Sequence, residues 1–127
     1  MDTKGNLPII PFASRDAWEA WLADEHARSS GLWLKLAKVA AGIDSVSYAE
    51  AVEVALCYGW IDGQAAKCDE AYWLQRFTPR RRRSKWSEIN RARAIELIAR
   101  GQMKPSGLAE IERAKADGRW DAADETQ

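Results

Sequence analysis

The chain has few of the side chains that build disulfide frameworks and metal centres. Its 127 residues include two cysteines and one histidine, too few for a disulfide scaffold or for the paired ligands of a zinc site. The formal net charge is zero, which argues against broad adhesion to nucleic acid or to an anionic membrane. No segment approaches the roughly 20 apolar residues that span a bilayer, and the N-terminus lacks the apolar core of a secretory signal. We therefore expect a cytoplasmic protein with reduced thiols, no cofactor, no metal and no membrane contact.

The composition is typical of one folded domain. Hydrophobic residues make up 46% of the chain and charged residues 30%, which suits a single compact core. We expect one domain over residues 1–127. Pro8 and Pro11 predict an extended lead-in over residues 1–13. Residues 121–127 are small and acidic, which predicts a loose tail.

Hydrophobic periodicity predicts a helix and then a strand in the first half of the chain. An amphipathic stripe that includes Trp18, Trp21 and Leu22 follows Ser14 and predicts a helix ending near residue 29. Leucines at alternate positions from 32 to 36 then indicate a strand with one buried face.

A second helix and a hairpin follow. Ser47 and Glu50 have the spacing of a capping box, and Gly59 is a natural helix terminator. Residues 60–67 and 70–78 are two strand-like runs, which predict a hairpin. The expected register places three cross-strand pairs on one face of the hairpin: Trp60 opposite Phe77, Asp62 opposite Gln75, and Gln64 opposite Trp73. A one-residue slip would exchange the two faces.

Two more helices complete the predicted fold. Ser87 can cap a helix that runs through Arg100, and Ser106 can start another that stops at Gly118. The expected buried side of the first of these helices consists of Ile89, Ala92, Ile95, Ile98 and Ala99. The sequence thus predicts an α+β domain with a small sheet, one strand plus a hairpin, covered by about four helices. The helix between the first strand and the hairpin would allow a parallel first pairing through a right-handed crossover.

A basic segment is the strongest functional signal in the sequence. From residue 75 to residue 100 there are nine lysines and arginines but only two acidic residues, and four of the arginines are consecutive, Arg80–Arg83. These arginines precede a predicted helix N-terminus, where backbone N–H groups point outward and attract anions. We expect this segment and the hairpin to form a binding site for an anion. The candidate residues are Trp60, Asp62, Gln75, Arg76, Thr78, Arg80, Arg81, Ser84, Trp86, Ser87 and Asn90.

Three motifs in this region resemble a known family. They are GWIDG from Gly59, LQRFTPRRxxSxWSxxN from Leu74, and IxxGxMxPxGxxxIexAKxDGRW near the C-terminus. The pattern resembles the YdeI/OmpD-associated family, often labelled bacteriocin-protection-like. Longer members carry a further C-terminal helical segment, so the resemblance implies that this chain is a short form. It also implies a role in stress or bacteriocin protection, without a defined chemistry.

We therefore expect a binding module for an anionic small molecule or an acidic peptide. Trp60, Asp62, Gln75 and Arg76 would orient the ligand, Arg80 and Arg81 would neutralise it, and Ser84, Ser87 and Asn90 would complete the lining. Three alternatives remain open: single-stranded nucleic acid binding through the arginines and tryptophans, an enzyme that uses Asp62 and Arg76, and docking of a partner protein or second copy. The plain alternative is a solvated loop. His26 lacks a recognisable nucleophile partner, so a catalytic triad is not expected.

Overall fold

A computed structural model describes residues 2–123 as a five-stranded mixed sheet with four α-helices. The strands are β1 (Thr3–Lys4), β2 (Leu7–Pro11), β3 (Leu32–Ala37), β4 (Trp60–Lys67) and β5 (Tyr72–Pro79). The helices are α1 (Arg15–Glu25), α2 (Tyr48–Cys57), α3 (Glu88–Ala99) and α4 (Pro105–Ala116). The strand order is β1-β2-β3-β5-β4. The fold is α+β, but the predicted sheet of one strand plus a hairpin is wrong because it omits β1 and β2.

The N-terminal segment forms two of the five strands. β2 pairs with β3 in parallel, with Ile9 opposite Trp33 and Ile10 opposite Leu34. Proline is tolerated near the margin of a sheet, and only the two-residue strand β1 lies between β2 and that margin. The two prolines suggested only an extended segment, so the sequence analysis missed the pairing.

The parallel pairing forms through a different helix from the one expected. α1 connects the adjacent parallel strands β2 and β3, whereas α2 connects β3 to β4. Because β5 is antiparallel to both β3 and β4, those two strands run in the same direction but are separated by β5. The predicted crossover at α2 therefore brings its two strands into the same orientation without pairing them.

The hairpin has a different register from the expected one and contains a bulge. Asp62 lies opposite Phe77, and the register shifts before Ala65, which lies opposite Gln75. The expected pairing of Asp62 with Gln75 is therefore wrong. Before the bulge, the partner of Asp62 is shifted by two residues along β5 from the expected one. Because side chains alternate between the two faces of a strand, a shift of two leaves Asp62 on its predicted face.

The helices cover one face of the sheet. Leu32, Leu34 and Leu36 are buried there, as the alternation predicts, together with Trp18 of α1 and Trp60 of β4. The two helix starts follow their sequence signals, because Ser14 caps α1 and the capping box of Ser47 and Glu50 is formed at α2.

The other face of the sheet, which we call the open face, has a separate and smaller apolar cluster. Its buried members are Leu7, Trp33 and Leu74, with Ile9 and Ala66 packed against them. All five are strand residues. Within residues 2–123, no helix contributes to this cluster.

The buried side of α3 differs from the prediction. Asn90, Ala94 and Leu97 are buried, whereas Ile89, Ile95 and Ile98 are exposed. The isoleucines suggested a stripe, but the packing of α3 against α2 selects the residues around Ala94. A polar asparagine is thereby brought into the interior.

The C-terminal part of the described chain packs on the body. Trp120 is buried, its backbone N–H donates to the Ala114 carbonyl, and the Ala123 N–H donates to the Trp120 carbonyl. The remainder of the predicted tail, residues 124–127, lies outside the described residues. No helix within residues 2–123 has the length and apolar character needed to cross a membrane.

Candidate anion site

Arg80 is the member of the arginine run that points into the protein. It follows the last residue of β5, where its backbone N–H donates to the Gly59 carbonyl at 3.0 Å. Its side chain is only 6% exposed. The Nη1 group donates to Ser84 Oγ at 3.2 Å and to the Lys85 carbonyl at 3.4 Å. The guanidinium lies over the Trp86 ring, 3.8 Å from its centroid, so several contacts fix its orientation.

The opposite edge of this guanidinium is buried without a partner. Arg80 Nε and Nη2 have no hydrogen-bond partner, and no carboxylate of residues 2–123 forms an ion pair with Arg80. Burial lowers the pKa of Arg80 from its ordinary value to about 10, while the more distant carboxylates of Glu110 and Asp62 act in the opposite direction. The cation is therefore held in place without a direct counter-charge.

A narrow hollow lies beside this edge, between α2, β4 and the start of α3. Its lining residues are Val52, Leu56, Trp60, Ile61, Asp62, Arg80 and Asn90. The hollow has no space wide enough for a water molecule. Asn90 is 4% exposed, and its Oδ1 atom has no partner among residues 2–123. The hollow is thus lined by two buried residues that each have unpaired polar atoms, which is uncommon in protein interiors.

Asp62 is held at the rim of the hollow by Tyr48. The Tyr48 hydroxyl donates to Asp62 Oδ2 at 2.5 Å, and the Tyr48 ring lies 5.9 Å from that of Trp73. Burial is the main reason that the pKa of Tyr48 rises to about 12, with the Asp62 carboxylate as the second cause. The sequence analysis did not select Tyr48 for the site. The signal was present, because Tyr48 directly follows the predicted Ser47 cap of α2 and that helix leads into β4.

Three of the expected site residues have other positions. Gln75 is buried, and its Nε2 group donates to the carbonyls of Gly63 at 2.7 Å and Gln64 at 3.2 Å, so it fixes the bulge of β4. Arg76 lies opposite Trp33 and therefore on the open face. Thr78 lies on the same face. Asp62 and Arg76 occupy opposite faces of the sheet, so the structure does not bring them together in one site.

The rest of the arginine run points outward. Arg81, Arg82 and Arg83 are exposed, and a shallow hollow of about 250 Å³ is lined by Ile61, Thr78, Pro79, Arg81, Arg83 and Ser84. The structure thus separates Arg81 from Arg80. Ser84 contacts Arg80, whereas the Ser87 hydroxyl accepts a hydrogen bond from the Asn90 backbone N–H at 3.1 Å and caps α3.

Trp86, whose ring lies beneath the Arg80 guanidinium, also lines a second hollow. The Trp86 ring packs edge to face on Trp120, with 5.0 Å between the centroids. Lys85, Trp86, Arg119 and Ala122 line a hollow of about 320 Å³. Within residues 2–123, no three His, Cys, Asp or Glu side chains lie together in a way that could hold a metal ion.

Comparison with known proteins corrects the family resemblance. No curated protein and no solved structure matches the chain. The model of a domain of unknown function, DUF8412, matches residues 10–110. The assignment to the YdeI/OmpD-associated family is therefore wrong, and the role in bacteriocin protection that it implied loses its support. Because the matched segment covers most of the sequence, the chain belongs to the DUF8412 family.

Proposed function

We propose that the protein is a binding module for an anionic small molecule or an acidic peptide, with Arg80 as the residue that contacts the anion. The observation that carries this proposal is the unpaired Nε and Nη2 edge of a guanidinium that is 6% exposed. These two adjacent N–H groups can donate two parallel hydrogen bonds to the oxygens of one carboxylate or phosphate.

The surroundings of Arg80 favour binding because they fix the guanidinium before a ligand arrives. Ser84 and the Lys85 carbonyl hold Nη1, and Trp86 supports the guanidinium plane. A guanidinium that is already ordered loses little entropy when it binds. Pairing with an anion would also offset the cost of burying an unpaired cation.

Entry of a ligand requires side chains to move, because the hollow is too narrow for water. Ile61 and Asp62 are only partly buried among the lining residues, so they form the wall that can open. Asp62 would repel a simple anion. It can accept a hydrogen bond from a ligand that carries a donor group next to its carboxylate or phosphate.

The test measures ligand-induced stabilisation against a panel of small carboxylates, inorganic phosphate and a short glutamate-rich peptide. A bound ligand raises the melting temperature by mass action, so a positive compound shifts it further as its concentration rises. Arg80→Lys keeps the charge but removes the bidentate edge. Arg82→Lys makes the same change at an exposed position of the same run.

We expect at least one compound to stabilise the wild type and the Arg82→Lys variant equally, with a shift at least halved in the Arg80→Lys variant. Equal stabilisation of all three proteins would contradict the proposal. Urea unfolding without ligand verifies that the Arg80→Lys variant is folded at the assay temperature.

A further inference from the structure

The open face of the sheet carries cations, and none of the residues in the five strands places a carboxylate there. Lys4, Lys35 and Arg76 lie on this face, on β1, β3 and β5. Within the five strands, the one acidic residue is Asp62, which lies on the helix-covered face with Phe77. The open face therefore has a positive potential that the zero net charge of the chain conceals.

The acidic residues are concentrated in the helices. Asp16, Glu19, Asp24, Glu25, Glu50, Glu53, Glu88, Glu96, Glu110 and Glu112 all belong to α1–α4. The helices also carry five cations, so their layer is net negative, and it packs away from the open face. The zero net charge of the chain is thus compatible with a local, positively charged surface that could bind a polyanion.

Two aromatic rings lie between the cations. The Lys4 ammonium is 5.4 Å from the centroid of the Trp33 ring, and the Lys35 ammonium is 4.6 Å from that of Tyr72. Tyr72 is partly exposed, whereas Trp33 is 6% exposed beneath its neighbours. Both rings are covered by flexible lysine side chains, which can leave a ring at a cost of roughly 0.5–1 kcal/mol at exposed sites.

The positive surface continues beyond the strands. Ile61 and Thr78 lie opposite each other on the open face, and both line the hollow that also contains Arg81 and Arg83. Asp69 is an acid near the other end of this surface, in the turn between β4 and β5. Hydrogen bonds from backbone N–H groups are the main cause that lowers the pKa of Asp69, and the charges of Lys35 and Lys38 lower it further.

We propose that the open face binds single-stranded nucleic acid. The lysines and arginines would contact phosphates, while a base stacks on Tyr72 after Lys35 moves from the ring to a neighbouring phosphate. Alternation of cations with aromatic rings is the feature that nonspecific single-strand binders share. An acidic peptide also satisfies cations, but it offers no planar group to the rings. This surface is separate from the Arg80 hollow. The sequence analysis placed nucleic acid at the arginine run, of which Arg81 and Arg83 adjoin the open face.

The test uses a fluorescein-labelled oligothymidylate of roughly 12 nucleotides, within the usual range of single-strand sites. Fluorescence anisotropy would be measured between about 50 and 200 mM salt, because the salt dependence counts the phosphate contacts. Lys4→Gln with Lys35→Gln removes two cations from the open face. Arg93→Gln with Lys115→Gln removes two exposed cations from the helices and keeps the same net charge as the first variant.

We expect the open-face variant to bind more weakly and to lower the slope of log K against log salt by about 1.4, at 0.7 for each lost contact. The helix variant should bind like the wild type. Tyr72→Leu should weaken binding about tenfold, as expected for one lost stacked base. All variants would be compared by urea unfolding, so that loss of binding is separated from loss of fold.

Three results would overturn the proposal. They are the absence of binding by the wild type, equal weakening in the helix variant, and an unchanged affinity in Tyr72→Leu. An oligoglutamate peptide that binds as tightly and responds equally to all variants would also overturn it, because the surface would then recognise acidic chains in general.

Discussion

Replacing Asn90 with aspartate should supply the unpaired edge of Arg80 with an internal carboxylate. Asn90 Oδ1 and Arg80 Nε and Nη2 are all buried without partners at the same hollow. Aspartate has the shape of asparagine and also suits the first turn of α3, where the helix dipole favours a negative charge. The substitution therefore tests the unpaired edge with little change in packing.

The magnitude follows from the cost of the unpaired cation. The pKa of Arg80 falls from its ordinary value to about 10, chiefly through burial, and at about 1.4 kcal/mol per pKa unit the surroundings disfavour the charged form by roughly 3 kcal/mol. That value is the upper limit of what pairing can restore. Desolvation of the new carboxylate offsets part of it.

The pH dependence of stability distinguishes pairing from simple burial. If the new carboxylate pairs with Arg80, its folded pKa lies below the unfolded value of about 3.9. The stability it contributes is then present above that pH and is lost as the pH falls through the folded pKa. Relative to the wild type, the Asn90→Asp variant should gain about 1 kcal/mol as the pH rises from about 3 to about 7, because the unfolded carboxyl releases less than one proton over that window.

Urea unfolding of both proteins across this range measures the difference. If the variant instead becomes less stable relative to the wild type as the pH rises, the carboxylate is buried without its partner and the reasoning fails. The same variant should also lose ligand-induced stabilisation, because the internal carboxylate occupies the edge that the ligand would use.

Three further predictions concern the fold. Gln75→Ala removes the donor to both bulge carbonyls and should cost about 1–3 kcal/mol in urea unfolding, while an unchanged stability would show that the bulge needs no such donor. Gly107→Ala should cost about 3 kcal/mol because its Cβ would collide with the Cys57 carbonyl, whereas Gly101→Ala, at φ +71° in open space, should cost about 1 kcal/mol; equal costs would refute the packing argument. Burial raises the pKa of Cys57 from 9.0 to about 11, so its neutral thiol contributes stability that is complete below pH 9 and is lost as the pH rises toward 11. The wild type should lose roughly 3 kcal/mol relative to Cys57→Ala across that window, and parallel pH curves would contradict this.

Local sequence signals predicted most of the elements and several of their ends. The caps at Ser14 and Ser47 and the alternation in β3 depend on residues close together in the chain, so their signals are readable directly. Leu7–Pro11 becomes a strand by pairing with β3, which lies beyond α1 in the chain. The prolines within this segment give no indication of that partner. The same applies to α3, where contact with α2 decides which residues are buried.

The candidate site shows the same distinction. The sequence analysis selected Arg80, Asp62 and Asn90 among its candidates, and these three line one hollow in the structure. It did not separate Arg80 from Arg81, since four identical neighbours carry no information about which side chain turns inward. Nor did it assign Gln75 to the bulge, because the bulge arises from a register shift within the hairpin that neither strand specifies alone.

The bulge has a consequence for how copies of the protein behave in solution. β4 is the last strand of the sheet, it is eight residues long, and one of its margins has no strand beside it. A straight margin of that length would offer a template for another chain to add a strand, which is how many sheet proteins begin to aggregate. The kink that Gln75 maintains interrupts the hydrogen-bonding pattern in the middle of that margin. We therefore expect it to hinder sheet-to-sheet self-association at this margin, while the two residues of β1 offer little template at the opposite one.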